Sequence, residues 1–245
     1  MFKDFLVFLI FTFGLNVYAS NNNLKVYTVG IEEDQKYPFY YIYDKEFKGR
    51  VRNLLDSFAK AYNIKFIYQI SNRISLQEDL IKKKIDFKFP DNPSWNLGDK
   101  NNNPEIIYSN PFTHNIDAIF VNKDFKRGDK KKLINNFGLV NDIILRDLDK
   151  RTKAGNVKVI KSDCCADLVI MLARNQLDAI FCDLDVVKYL IKNSSLKDEV
   201  VFNADLPFID GFSYLSTISH EDIIRSFDIW LNNNRSYIEG ILHEN

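Results

Sequence analysis

The sequence predicts an α/β protein of two lobes, and three observations carry that prediction. Short apolar runs alternate with stretches whose apolar residues recur at helical spacing. The alternation starts near Leu24 and starts again near Asp117. With 245 residues, 46% of them hydrophobic, the chain lies between one large domain and two small ones and has ample material for packed cores.

The elements follow in order. Leu24 to Ile31 reads as a strand, and Gly49 to Tyr62 as a helix with Val51, Leu54, Leu55, Phe58 and Ala61 on one face. Ile64 to Ile70 is a second strand. Ser75, with Glu78 three residues on, has the pattern of a capping box for a helix running to Lys84. Ile85 to Phe89 is a third strand, stopped by Pro90. This β-α-β-α-β order predicts a parallel sheet with helices on both faces.

In the second unit, Asp117 to Val121 is a strand and Gly128 to Asn135 a helix. Phe137 to Val140 is a strand, and Asn141 can cap a helix ending near Gly155. Val157 to Ile160, a helix from Cys165 to Asn175, Ala179 to Cys182 and a helix from Leu184 to Lys192 complete the alternation. Glu199 to Phe202 reads as an edge strand. Glu221 to about Leu242 is an amphipathic helix through Ile224, Phe227, Leu231, Tyr237, Ile238 and Ile241.

Open α/β sheets bind ligands at the carboxyl ends of their strands, where strand order reverses. The strand ends here carry Tyr37, Phe39 and Tyr40, then Asp91, Asn92 and Trp95, then Asn141 and Asp142, the run Lys161-Ser162-Asp163, and Asp183. Aromatic faces with a few carboxylates and amides suit a pocket for a small polar molecule. Asp183 and Asn141 each also stand where a helix needs an N-cap, so both roles stay open for them.

The N-terminus predicts export. Lys3 precedes the apolar run Phe5 to Val17, and Val17-Tyr18-Ala19 presents a cleavage site after Ala19. The run falls short of the roughly 20 apolar residues of a permanent span. The expected mature chain starts at Ser20, carries no Cys there for lipid attachment, and is not membrane-embedded. Lys+Arg and Asp+Glu both number 33, which gives no electrostatic case for nucleic acid. Cys164, Cys165 and Cys182 leave at least one thiol over. Cys182 reads as a buried free thiol, with a Cys165–Cys182 bridge as the alternative. His114, His220 and His243 have no metal-ligand spacing, and no metal or other cofactor is expected. No nucleophile elbow or phosphate loop is present, so no residue is assigned a catalytic role.

Four segments recur in a familiar order. They are Tyr37-Pro38-Phe39-Tyr40, then Phe47-Lys48-Gly49 leading into Leu54-Leu55, then Tyr108-Ser109-Asn110-Pro111-Phe112, then Leu177 to Asp183. In these segments, from about Leu24 to Ile241, the chain resembles the bacterial extracellular solute-binding proteins of family 3. Those serve ABC importers, often for polar amino acids. The resemblance implies a two-lobed, periplasmic-binding-protein-like fold of type 2 with two crossover hinge strands, near Phe112–Asn115 and Leu206–Gly211. Lobe 1 would be residues 20–113 plus 210–245, lobe 2 residues 114–209, with the last helix packed on lobe 1. It implies that Asp183 pairs with a ligand ammonium and that Phe39 or Tyr40 covers the ligand; Ser109 and Pro111 read as shaping the approach to the crossover strand. The family's Arg for the ligand carboxylate is missing from Pro90 to Tyr108. That departure favours a cationic or hydroxyl-bearing ligand held by Asp91, Asp183, Trp95 and Tyr40.

The function expected is capture of a small polar molecule, an amino acid or related organic solute, by a periplasmic monomer that delivers it to an ABC-transporter permease. The alternatives are a dehydratase-like enzyme on the same scaffold, or a ligand-sensing accessory of a signalling partner.

Overall fold

In the computed structural model, the chain is described over residues 24–33, 36–95, 105–125, 134–140, 155–162, 164–192, 194–196 and 198–243. The expected leader (1–19), the helices predicted at Gly128 to Asn135 and Asn141 to Gly155, and the site candidates Asn141, Asp142 and Asp163 lie wholly or mainly outside these residues.

Strand β1 (Lys25–Glu32) buries Val29 and Ile31 completely. A two-residue hairpin follows, β2 (Tyr41–Tyr43) and β3 (Glu46–Lys48), turned by Asp44 and Lys45 at φ 52° and 59°. Helix α1 (Arg50–Ala61) buries Val51, Leu54, Leu55, Phe58 and Ala59; Ala61, expected on that face, is exposed. Each large side chain buried there contributes about 1.5–3 kcal/mol of apolar transfer energy. Strand β4 (Ile64–Ser71) follows, then α2 (Arg73–Ile81). The cap of α2 is Asn72, whose side-chain Oδ1 accepts from the Ser75 amide at 2.9 Å, so the Ser75 capping box does not form. Asn caps as well as Ser does, and standing three residues earlier it starts the helix at Arg73. Strand β5 (Phe87–Asp91) begins later than expected and runs through Pro90 rather than stopping there. Its pairing shifts register between Tyr214 and Ser216, where a proline without an N–H is tolerated.

A 3-10 turn (Pro93–Trp95) and β6 (Ile107–Tyr108) lead into β7 (Thr113–Asn122). Then come β8 (Asn136–Val140), β9 (Lys158–Ser162), α3 (Cys165–Ala173), β10 (Ala179–Asp183), α4 (Leu184–Ile191), β11 (Val200–Phe202) and β12 (Phe208–Thr217). The chain closes on α5 (Glu221–Asn233) and α6 (Arg235–His243). The single C-terminal helix expected from periodicity is therefore two. Asn234 ends α5 with its side-chain amide on the Trp230 carbonyl at 2.8 Å, the local competition that makes Asn a poor interior helix residue.

Among the described residues the main sheet has the order β4-β1-β5-β12-β7-β10-β8-β9, with β11 on β7 and β6 on β12. The triplets β4-β1-β5 and β10-β8-β9 are parallel, as predicted. The sheet as a whole is mixed, because β12 and β7 run antiparallel to each other and to the triplets they join. These two strands are the crossovers between two cores. The first core gathers Val29, Ile31, Leu54, Phe58 and Phe87 with Phe227, Trp230, Ile238 and Leu242 from the last two helices. The second gathers Ala118, Phe120, Leu168, Leu172, Ile180 and Val187.

Candidate functional site

Each parallel triplet places its first strand in the middle, β1 between β4 and β5, and β8 between β10 and β9. Strand order therefore reverses once in each lobe. A cavity of about 350 Å³ lies where both reversals meet, a size that suits a small organic molecule. The first lobe gives it Lys36, Tyr40, Arg73, Asn92, Ser94 and Trp95, from turns after β1 and β5 and the start of α2. The second lobe gives Asp117, Val140, Cys165, Phe181, Cys182 and Asp183. The crossover β12 adds Ile209 to Ser213.

One wall is acidic. Asp117 on β7 and Asp183 on β10 are direct register partners, so two carboxylates stand side by side. Like charges in that position repel. Lys36 answers both: its Nζ lies 3.5 Å from Asp117 and 3.7 Å from Asp183. Asp183 divides its oxygens between two tasks. Oδ1 accepts from the amides of Asp185 and Val186 at 3.0 and 3.1 Å and caps α4, while Oδ2 is the oxygen near Lys36. Burial raises its carboxyl above the ordinary range; Lys36 opposes that shift and Asp117 adds to it.

The opposite wall is aromatic and cationic. Glu32, buried at the end of β1, receives Arg73 from the first turn of α2 at 2.9–3.1 Å. Held this way, the guanidinium lies over the Trp95 ring, 4.6 Å from its centroid. Asn92 fixes the turn that carries Trp95: its oxygen accepts from the Ser94 amide and hydroxyl, and its amide donates to the Phe212 carbonyl at 2.7 Å. Tyr40 sits beneath, edge-on to Phe89.

The structure brings together Tyr40, Asn92, Trp95 and Asp183 of the residues expected at the site. Four others are elsewhere. Asp91 is fully buried below the cavity, 3.2 Å from the Lys88 ammonium, and accepts from the Ser216 hydroxyl at 2.6 Å and from the Asn92 amide. Its charge is committed to Lys88, and the side chain points into the interior because β5 continues through Pro90. Ser109 donates to the Asn110 carbonyl and accepts from the Leu215 amide, tying its segment to β12. Tyr37 faces outward and meets Tyr189 of α4, with the hydroxyls 3.5 Å apart. Phe39 packs against both cores rather than lining the cavity. The sequence reading missed Lys36, Arg73 and Asp117. Each is a single charged residue in a local context that does not show which distant carboxylate or ring it will face.

Cys164, Cys165 and Cys182 are free thiols. Cys165 and Cys182 both border the cavity, and burial together with the neighbouring Cys165 thiol pushes Cys182 well above the usual thiol range. Such a thiol is a poor nucleophile. Among the described residues no group of three His, Cys, Asp or Glu side chains is placed to hold a metal ion. Among them, too, no helix is long and apolar enough to cross a membrane.

No protein-family model matches the chain, and no curated protein matches it. Solved structures do. The second substrate-binding domain of GlnP from Lactococcus lactis, in its open conformation, is 18% identical, covers 90% of this chain and 94% of its own, and superposes with a TM-score of 0.59. An ABC uptake transporter substrate-binding protein from Streptococcus pneumoniae with bound histidine is 12% identical, with 90% and 93% coverage and a TM-score of 0.64. A histidine kinase sensor domain with similarity to periplasmic binding proteins is 17% identical, with 89% and 94% coverage and a TM-score of 0.64. At these identities the likeness is one of fold: the chain has the two-lobed, periplasmic-binding-protein-like α/β architecture.

Proposed function

We propose that this chain is an extracytoplasmic solute-binding protein that captures a small polar molecule between its lobes and delivers it to an ABC importer. One observation carries the reading: a cavity of about 350 Å³ walled by both lobes at their strand-order reversals, acidic on one side and aromatic and cationic on the other. A solute with a cationic or hydroxyl-bearing end would meet Asp183 and Asp117, where charge-assisted hydrogen bonds form in a site shielded from water. Its other end would lie against Trp95 and the Arg73 guanidinium, with Asn92 supplying an amide. Arg73 offers the guanidinium that the segment from Pro90 to Tyr108 lacks, and it comes from a different element. An amino acid or related organic solute fits both ends.

In this reading residues 20–113 with 210–245, and residues 114–209, are the lobes, and they close by bending at β7 and β12. Residues 1–19 direct export to the periplasm and are removed, and the solute is released unchanged to a permease. Of the similar structures, one belongs to an ABC uptake transporter and one is a histidine kinase sensor domain, which supports a second reading in which the bound state reports to a signalling partner.

The test is native mass spectrometry of the purified protein followed by thermal-shift screening of metabolites. A ligand of the native state raises the melting temperature by mass action. A small polar solute that stabilises the protein and is recovered chemically unchanged supports capture. Recovery of a converted product would move the chain to the enzyme class. Failure of every polar metabolite to stabilise it would contradict the proposal.

A further inference from the structure

The turn that carries Lys36 belongs firmly to the first lobe. The Lys36 amide donates to the Tyr40 carbonyl at 2.9 Å, and the Lys36 carbonyl accepts from the Phe39 and Tyr40 amides. The carbonyls of Pro38 and Phe39 accept the first amides of α1, from Arg50 and Val51. From this fixed turn the Lys36 side chain crosses to the second lobe and reaches both Asp117 and Asp183. The next residue crosses as well, since Tyr37 meets Tyr189 of α4 ring to ring at 5.2 Å. The Lys36 side chain is four-fifths buried and that of Asp183 more so, so solvent screening of this pair is weak.

An ammonium poised between two carboxylates that border a solute cavity has the place that a ligand's own cationic group would take. We propose that Lys36 is a built-in occupant of the cation subsite formed by Asp117 and Asp183, a tethered ammonium that ties the lobes together without solute and competes with the cationic end of an incoming one. The inference rests on the solute-capture reading for the competition, and on geometry alone for the tie between lobes. A primary ammonium on a flexible four-carbon stem suits this use, because it leaves a site more readily than a bidentate guanidinium does. It also sets specificity. A solute's cation must satisfy two carboxylates better than Lys36 does, so strongly basic groups are favoured over weakly basic ones.

Two variants and two readouts test it. Small-angle scattering on the solute-free protein should give a larger radius of gyration for Lys36→Met than for wild type, with Lys36→Arg like wild type. Equal radii for wild type and Lys36→Met overturn the tie. Calorimetry with L-arginine, L-lysine and putrescine as probes should show at least tenfold tighter binding to Lys36→Met than to wild type. L-glutamate should gain nothing. Equal affinities of the cationic probes in both proteins overturn the competition while leaving solute capture intact. Binding of no probe to either protein counts against solute capture with a cationic end and against the competition with it, and the tie is then decided by the radii. If Lys36→Met fails to fold, Lys36→Gln takes its place in both readouts.

Discussion

At Asp183 one carboxylate oxygen caps α4 and the other faces Lys36 across the cleft, so a single residue joins a structural cap to the proposed site. Its carboxyl is raised, chiefly by burial. Between the ordinary value of 3.8 and the raised native one, the folded state therefore holds the proton that the unfolded state has released. Stability falls as pH rises through that window, and the cost persists at neutral pH. Replacing Asp183 by Asn keeps the cap, since Asn and Asp cap equally well, and removes the buried charge. The variant should melt at a higher temperature than wild type at pH 7 without solute, and the gain should vanish below pH 3.8. It should also bind a cationic solute more weakly by at least about 1.5 kcal/mol, as expected for a lost charged partner. A lower melting temperature at pH 7 would show that the carboxylate stabilises the empty protein. Asp91→Ala should behave oppositely, destabilising by about 3–5 kcal/mol in denaturant titration because Lys88 stays buried without its carboxylate. The sequence shows both aspartates at strand ends and does not separate them. Which one faces the cavity depends on β5 continuing past Pro90, and that is set by its pairing with β12.

The turn from Lys36 to Tyr40 is the element on which the cleft depends, and Gly49 holds it in place. Gly49 sits at φ 109°, and a Cβ there would come within 2.6 Å of the Phe39 carbonyl oxygen and 2.9 Å of that of Pro38. Those are the carbonyls that cap α1. Gly49→Ala should therefore cost about 1–3 kcal/mol in chemical denaturation and lower the affinity for a solute as the turn is pushed aside. Unchanged stability would mean the turn moves without cost. Elements with strong periodicity, such as α1 and the parallel strands, were legible from sequence. The hairpin of β2 and β3 was not, because its turn is Asp44-Lys45 and carries no glycine to mark positive φ. The break between α5 and α6 was hidden for a similar reason: apolar spacing continues across Asn234 and only the run of asparagines signals the stop.

For the whole molecule, two parallel units and their order followed from the alternation of runs. That β7 and β12 run antiparallel and weld both units into one sheet did not, since it depends on pairing between segments far apart in sequence. The cleft shares that dependence: Lys36 and Asp117, one from each lobe, meet only once both crossovers are formed. The proposed solute site lies between the lobes, against Trp95. The chain has two tryptophans, Trp230 in the first core and Trp95, which is 43% exposed in the cleft. With Trp230→Phe, emission reports Trp95 alone. Titrated with a solute identified by thermal shift, Trp95 emission should move to shorter wavelength and lose its quenching by iodide, saturating together with the stabilisation. Full thermal stabilisation with unchanged Trp95 emission and unchanged iodide quenching would place the solute elsewhere and contradict the account.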